Sequence, residues 1–229
     1  MPYPTIQDQK SGYAGFSGEP SFYAPMPAFQ YGDLIFASIT FNLESDADPA
    51  FLAAENWTEI HESHSPSDLS LLMGYRVIDG TESWDGLGDA DLMHCTCANQ
   101  LYGTYQIINY GPVEYVDYAI SQAEPSSAAG SWNPPELDVT DAEPLMWLAI
   151  VAEYDLTTVS TWPAAFTQNR AQVVGVGASG TTQAICRLDA DASSQDPATY
   201  VLASESSGIA ATLAFRPISY GGGWGIVTI

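Results

Sequence analysis

The sequence predicts an all-β protein, a two-sheet antiparallel sandwich of jelly-roll type, on three observations. Apolar residues alternate or run in short blocks, and nowhere hold a helical period over three turns. The blocks are bounded by clusters of Gly, Pro, Asp and Ser, whose side chains and backbone freedom make bends. Many such segments joined by long connections, within 229 residues, suit one sandwich of generous size.

Taken in order, a weak, polar opening strand near Thr5 is followed by another at Phe22. Residues 33–43 (DLIFASITFNL) form a clear strand, entered through the tight-turn pair Gly32-Asp33. A weaker strand lies at Trp57, and a clear one at 69–78 (LSLLMGYRVI) leaves through the turn Asp79-Gly80. After a weak segment at Met93 come 101–109 (LYGTYQIIN), then weak strands at Val116 and Leu137. The clearest apolar run is 145–153 (LMWLAIVAE), and strands at 170–176, 182–188 and 208–216 follow, with a weak one at Tyr200. Turn-rich loops occupy 44–49, 63–68, 79–91 and 123–135. The last is the only plausible internal linker, but strands of one type flank it, so residues 1–217 are assigned to one β-sandwich domain. No internal repeat of fixed period is visible. After Pro217 a Gly-rich apolar segment, 218–229, is too hydrophobic for a free tail, and Trp224, Ile226, Val227 and Ile229 make it a candidate docking arm.

Charge narrows the function classes. Five basic residues stand against 28 acidic ones, a net charge of -23. Nucleic acid and acidic membrane surfaces are therefore disfavoured partners, since phosphate contacts need Lys and Arg. Such a surface holds water and keeps crowded copies soluble in a saline medium. Cys95, Cys97 and Cys186 are odd in number, and the first two are too close for a relaxed bridge, so no disulfide framework is expected. The opening residues lack the apolar core of a signal peptide, and no run reaches membrane-spanning length.

Each motif that carries chemistry has a plainer reading. Gly175, Gly177 and Gly180 match the spacing of a dinucleotide fingerprint, but TTQAICRL after them reads as a strand, which makes the glycines a hairpin turn. His61, His64, His94, Cys95 and Cys97 are zinc-ligand types, yet a strand turns His94 away from Cys95 and Cys97, and buried thiols are the simpler assignment. Asp46 and Asp48, or Asp189, Asp191 and Asp196, are calcium-ligand types without the glycine and closing glutamate of an EF-hand loop. No carboxylate pair or Ser-His-Asp set stands out by spacing, so no catalytic, cofactor or metal residue is assigned. Trp84, Trp132 and Trp162 lie in apparent loops, where indoles stack on sugars or plug sandwich ends and subunit interfaces.

One resemblance covers most of the chain. From about Thr5 to Arg216 the order of elements resembles tailed-bacteriophage virion proteins of the jelly-roll type, found among capsid, tail and fibre components. It is carried by TIQDQKSGYAGFSG, Gly32-Asp33-Leu34-Ile35, Asn56-Trp57-Thr58-Glu59-Ile60, Tyr75-Arg76-Val77 with Asp79-Gly80-Thr81-Glu82, YGTYQIINYG, and Ala214-Phe215-Arg216-Pro217. The group has a Gly where this chain has Asn56, and a shorter, less acidic loop before it. The resemblance implies a non-catalytic structural protein of the virion exterior, a capsid decoration or a head or tail spike, assembled in the host cytoplasm. Its expected partners are other phage structural proteins and further copies of itself. A receptor- or glycan-binding module of a spike or fibre is the alternative, with a host-surface glycan as ligand.

Overall fold

Strands with one wet face alternate polar and apolar residues, so the apolar run LMWLAIVA, and LIFA opening LIFASITFN, call for cover on both sides. The computed structural model supplies it. It describes residues 3, 5–15, 21–42, 49–64, 69–79, 92–96, 102–123, 130–175, 180–203 and 206–218. Among these, the chain is all-β apart from one turn of 3-10 helix at Ala53–Glu55.

The first eight strands are β1 (Asp8–Gly15), β2 (Ser21–Pro25), β3 (Leu34–Asn42), β4 (Ala50–Phe51), β5 (Thr58–His64), β6 (Leu69–Val77), β7 (Leu92–Thr96) and β8 (Tyr102–Asn109). The next eight are β9 (Val113–Ala123), β10 (Ser131–Trp132), β11 (Leu137–Glu153), β12 (Val159–Thr161), β13 (Gln168–Val174), β14 (Thr182–Gln195), β15 (Tyr200–Leu202) and β16 (Gly208–Pro217). They form four antiparallel sheets where two were expected: β1-β8-β3-β6-β5, β2-β7-β4, β9-β16-β11-β14-β13 and β10-β15-β12. The strands of the second set follow the order of the first with eight added to each number. The chain is thus built twice, a repeat of topology without a fixed sequence period.

The repetition extends to register. Gly103 pairs with Phe41 and Gly208 with Glu153, and each glycine lies at the start of the last strand of its half, second in β8 and first in β16. A Cβ on Gly103 would lie 2.9 Å from the Thr40 carbonyl oxygen and 3.6 Å from Phe22; on Gly208 it would lie 2.9 Å from the Ala152 carbonyl oxygen and 2.6 Å from Trp132. Thr40 and Ala152 are therefore equivalent, as are Phe22 and Trp132. The edge strands carry matching bulges, between Glu59 and His61 in β5 and between Gln168 and Ala171 in β13. In β1 and β9, Asp8 and Asp117 each accept a bond from the next backbone N–H, of Gln9 and Tyr118. Few equivalent pairs are identical, and the spacing between them drifts through the chain, which hides the repeat from a search at fixed period. The junction falls at Gly111-Pro112, directly between β8 and β9, and not in the 123–135 loop, which holds β10.

Three apolar cores follow from this stacking. The two five-stranded sheets face each other across Leu34, Phe36, Leu71, Met73 and Ile108 on one side and Met146, Leu148, Ile150, Ile185 and Leu213 on the other. The alternate residues of β3, Ile35, Ala37, Ile39 and Phe41, pack beneath the small sheet with Phe22 and Met93. Trp147, Ala149 and Val151 of β11 do the same with Trp132, Tyr200 and Leu202. The layers run three, five, five, three strands deep, and both central strands are buried on both faces. Exchanging the halves maps the packing onto itself: β1 meets β13 where Tyr13 approaches Gly175, and β9 meets β5 where Tyr118 bonds His61. This is approximate two-fold symmetry within one chain.

Candidate functional site

The residues singled out by chemistry are dispersed by the fold. His94 stacks on Tyr23 at 4.4 Å on the small N-terminal sheet, while its neighbour Cys95 turns into the core. His61 sits on the β5 edge, where its Nδ1 is 3.2 Å from the Tyr118 hydroxyl and burial lowers its pKa. Cys97 and the His64 side chain lie outside the described residues. Asp189 accepts a two-point ion pair from the buried Arg187, at 2.6 and 2.9 Å, and Asp191 accepts the Tyr3 hydroxyl. Asp46 and Asp48 are outside the described residues. Among those described, no three His, Cys, Asp or Glu side chains gather as metal ligands.

Gly175 closes onto Thr181 by its backbone N–H, and β13 pairs antiparallel with β14, so strands flank the glycine stretch on both sides. Gly177 falls outside the described residues. Among the described residues there, none forms a helix N-terminus that could receive a pyrophosphate.

The tryptophans divide. Trp84 is outside the described residues, as are Trp224, Ile226, Val227 and Ile229 of the terminal segment. Trp132 lies on β10, not in an open loop, and is only 5% exposed. A sugar cannot reach its ring while the small sheet stays seated. Trp162 is half-buried against Tyr200 at 5.7 Å and carries the Arg170 guanidinium 5.8 Å over its ring. It stands next in the chain to Thr161, which pairs with Val201, just as Phe51 follows Ala50, which pairs with Thr96. Trp132 and Trp162 thus fill the places of Phe22 and Phe51, which are core residues of the other half.

Among the described residues, the carboxyl shifted furthest is one that no motif in the sequence singled out. Glu153 ends the apolar run of β11, at the place of Phe41, and has no exposed surface. Neither carboxylate oxygen makes a hydrogen bond of ordinary length and angle, and the Trp132 indole and the Ser206 backbone act on it only as weak donors. Burial pushes its pKa up to about 8, and the nearby Asp155 charge adds to the rise, while the Trp132 indole and the Ser206 backbone oppose it. At neutral pH it is a neutral acid within a packed wall. Its signal was a lone acid closing a run of eight apolar residues, which reads equally as a strand end reaching water.

The thiols are enclosed too. Cys186 contacts the Tyr200 hydroxyl at 2.9 Å, and burial pushes its pKa up to about 12. Neither Cys95 nor Cys186 is expected to react with a water-soluble thiol reagent in the native protein, and both should label after denaturation. Peptide mapping by mass spectrometry checks this, and rapid native labelling at either position would show that its cover sheet opens readily.

No family model matches the chain, and neither a curated protein nor a solved structure is similar enough to match it.

Proposed function

We propose that each half is a jelly roll and that the chain, a tandem pair, is a non-catalytic structural protein of the exterior of a tailed-phage virion. The observation that carries this reading is strand order. Numbered within its half, each large sheet runs 1-8-3-6 with strand 5 added at the edge, and each small sheet runs 2-7-4. That is the order produced when a long antiparallel hairpin wraps into two facing sheets, an architecture frequent in viral capsids and lectins. Strand 5 joins strand 6 in the larger sheet here, a departure that leaves the wrapping unchanged. Fold analogy reaches a class and no further.

The chemistry agrees with a scaffold. Among the described residues, candidate ligands are dispersed, the most shifted carboxyl is sealed inside, and stability rests in stacked β layers with doubly buried centres. The net charge of -23 suits a surface turned to the medium, and repeated copies on a symmetric particle make individually weak docking contacts effective. Docking through sheet edges and the 218–229 segment, and assembly with further copies, belong to the same proposal. The glycan-binding alternative loses Trp132 as a platform and rests on Trp84 and the outer part of Trp162.

The test is antibody labelling of intact particles, followed by heat and osmotic challenge of particles with and without the protein. Ordered exterior label and earlier loss of integrity without the protein are expected. Absence of the protein from purified particles would overturn the reading. A glycan array with the intact chain separates the alternative, since specific retention of one sugar class would put binding ahead of shell stabilisation.

A further inference from the structure

We infer that the contact between the two halves is a self-pairing surface made one-sided by a buried polar seam, so that each half accepts the other half and rejects a copy of itself. The seam lies between the five-stranded sheets. Gln183 Nε2 donates to Ser38 Oγ at 2.8 Å and to Thr40 Oγ1 at 3.0 Å. Beside it, Thr104 Oγ1 and Thr181 Oγ1 are 3.2 Å apart. All five residues are buried.

The repeat shows what occupies the same places across the two-fold axis. Because Phe41 and Glu153 are equivalent, Ser38, Thr40 and Thr104 correspond to Ile150, Ala152 and Ile209. Ser70 pairs with Phe41 and Thr182 with Glu153, so Thr181 and Gln183 correspond to Leu69 and Leu71. Every one of those counterparts is apolar and belongs to the core shared by the halves.

Two pairings can be compared with the observed one. If an N-terminal half met a second N-terminal half in the same geometry, Ser38, Thr40 and Thr104 would face Leu69 and Leu71 on both sides of the axis. Their hydroxyls would be buried without partners. If two C-terminal halves met, Gln183 would face Ile150 and Ala152, and an amide would be stranded in the same way. A buried polar group left without a hydrogen bond carries a penalty; the matched pairing satisfies the hydroxyls and the Gln183 amide nitrogen, and leaves only the side-chain carbonyl oxygens of Gln183 and Gln106 in the seam without a bond. Polar residues at one point of an otherwise apolar contact are a known means of fixing register and partner. The surface therefore fits one partner type, a complementary unit of its own fold, and two copies of the chain are kept from cross-pairing like with like.

The test uses the full chain with the apolar counterparts moved into the seam: Ser38→Ile, Thr40→Ala, Thr104→Ile, Thr181→Leu and Gln183→Leu together. Both proteins are unfolded in denaturant, refolded over a range of concentrations and sized by light scattering. At each concentration the exchanged variant should form species larger than the wild-type refolding product, and the share of these additional species should grow with concentration. A variant whose refolding product matches the wild type throughout overturns the inference. Should the variant fail to fold, a double-mutant cycle between Gln183→Leu and Ser38→Ala with Thr40→Ala decides. Coupling of about tenfold or more in the folding equilibrium supports the seam, and additive effects overturn it. Neither outcome depends on where the protein resides.

Discussion

Replacing Glu153 by Gln is expected to remove most of a fall in stability that the wild-type protein shows between weakly acidic and alkaline pH. The carboxyl has an ordinary pKa of 4.5 when unfolded and is raised to about 8 in the native protein. Between those values the native state holds a proton that the unfolded chain has released, so stability declines as pH climbs and levels off once pH exceeds the native value. At about 1.4 kcal/mol per pK unit, discounted for relaxation of the site, the loss is about 2 to 4 kcal/mol. Glu143, held down by its Arg216 partner, acts only below pH 4.5, outside this range, whereas His61, lowered by burial, acts within it with the opposite sign. The difference between wild type and Glu153→Gln at each pH isolates the effect of the one group. Urea unfolding from pH 5 to pH 9 measures it. A difference independent of pH would mean that the carboxyl reaches water in the native protein.

The second large effect is expected at Gly208. A Cβ there would meet the Trp132 ring at 2.6 Å and the Ala152 carbonyl oxygen at 2.9 Å. The ring is held in the core and the carbonyl belongs to a central strand, so neither can yield cheaply. Gly208→Ala should cost about 3 kcal/mol or more, and Gly103→Ala less, because the rings there stand farther off, Phe41 at 3.3 Å and Phe22 at 3.6 Å. The equivalence of the halves adds a rescue. Trp132→Phe, which copies the residue at Phe22, should recover part of the loss in Gly208→Ala while destabilising the otherwise wild-type chain. Denaturant midpoints of the four proteins test this. Without rescue, the two rings would not occupy equivalent places.

The strands were legible because their causes are local. Gly32 has a positive φ of 88° where the turn into β3 was expected, the run at 69–78 begins and ends near β6, and the run at 145–153 ends with β11, which starts earlier, at Leu137, and takes in the weak strand expected there. Two-residue strands such as Ala50–Phe51 and Ser131–Trp132 carry no period and were not legible. The number of sheets was hidden for a different reason. An unbroken apolar strand states that both faces are covered, yet it does not say by what, and here the cover is a second sandwich on one face and a small sheet on the other. The repeat was hidden because equivalent positions conserve burial and shape but not residue: Phe22 answers Trp132, and Phe41 answers Glu153. For the candidate site, residue type alone was visible. The dispersal of His61, His94 and Cys95 depends on which sheet each strand joins, a long-range property that spacing does not encode.

Native-state hydrogen exchange tests the shared core most directly. If two equivalent halves are locked face to face, the amides of β3 and β11 should exchange slowest in the molecule, with one common free energy equal to that of global unfolding. The strands of both small sheets should open at lower cost. Exchange of β3 through an opening that leaves β11 protected, or the reverse, would show that the halves unfold separately and do not form one four-layered body.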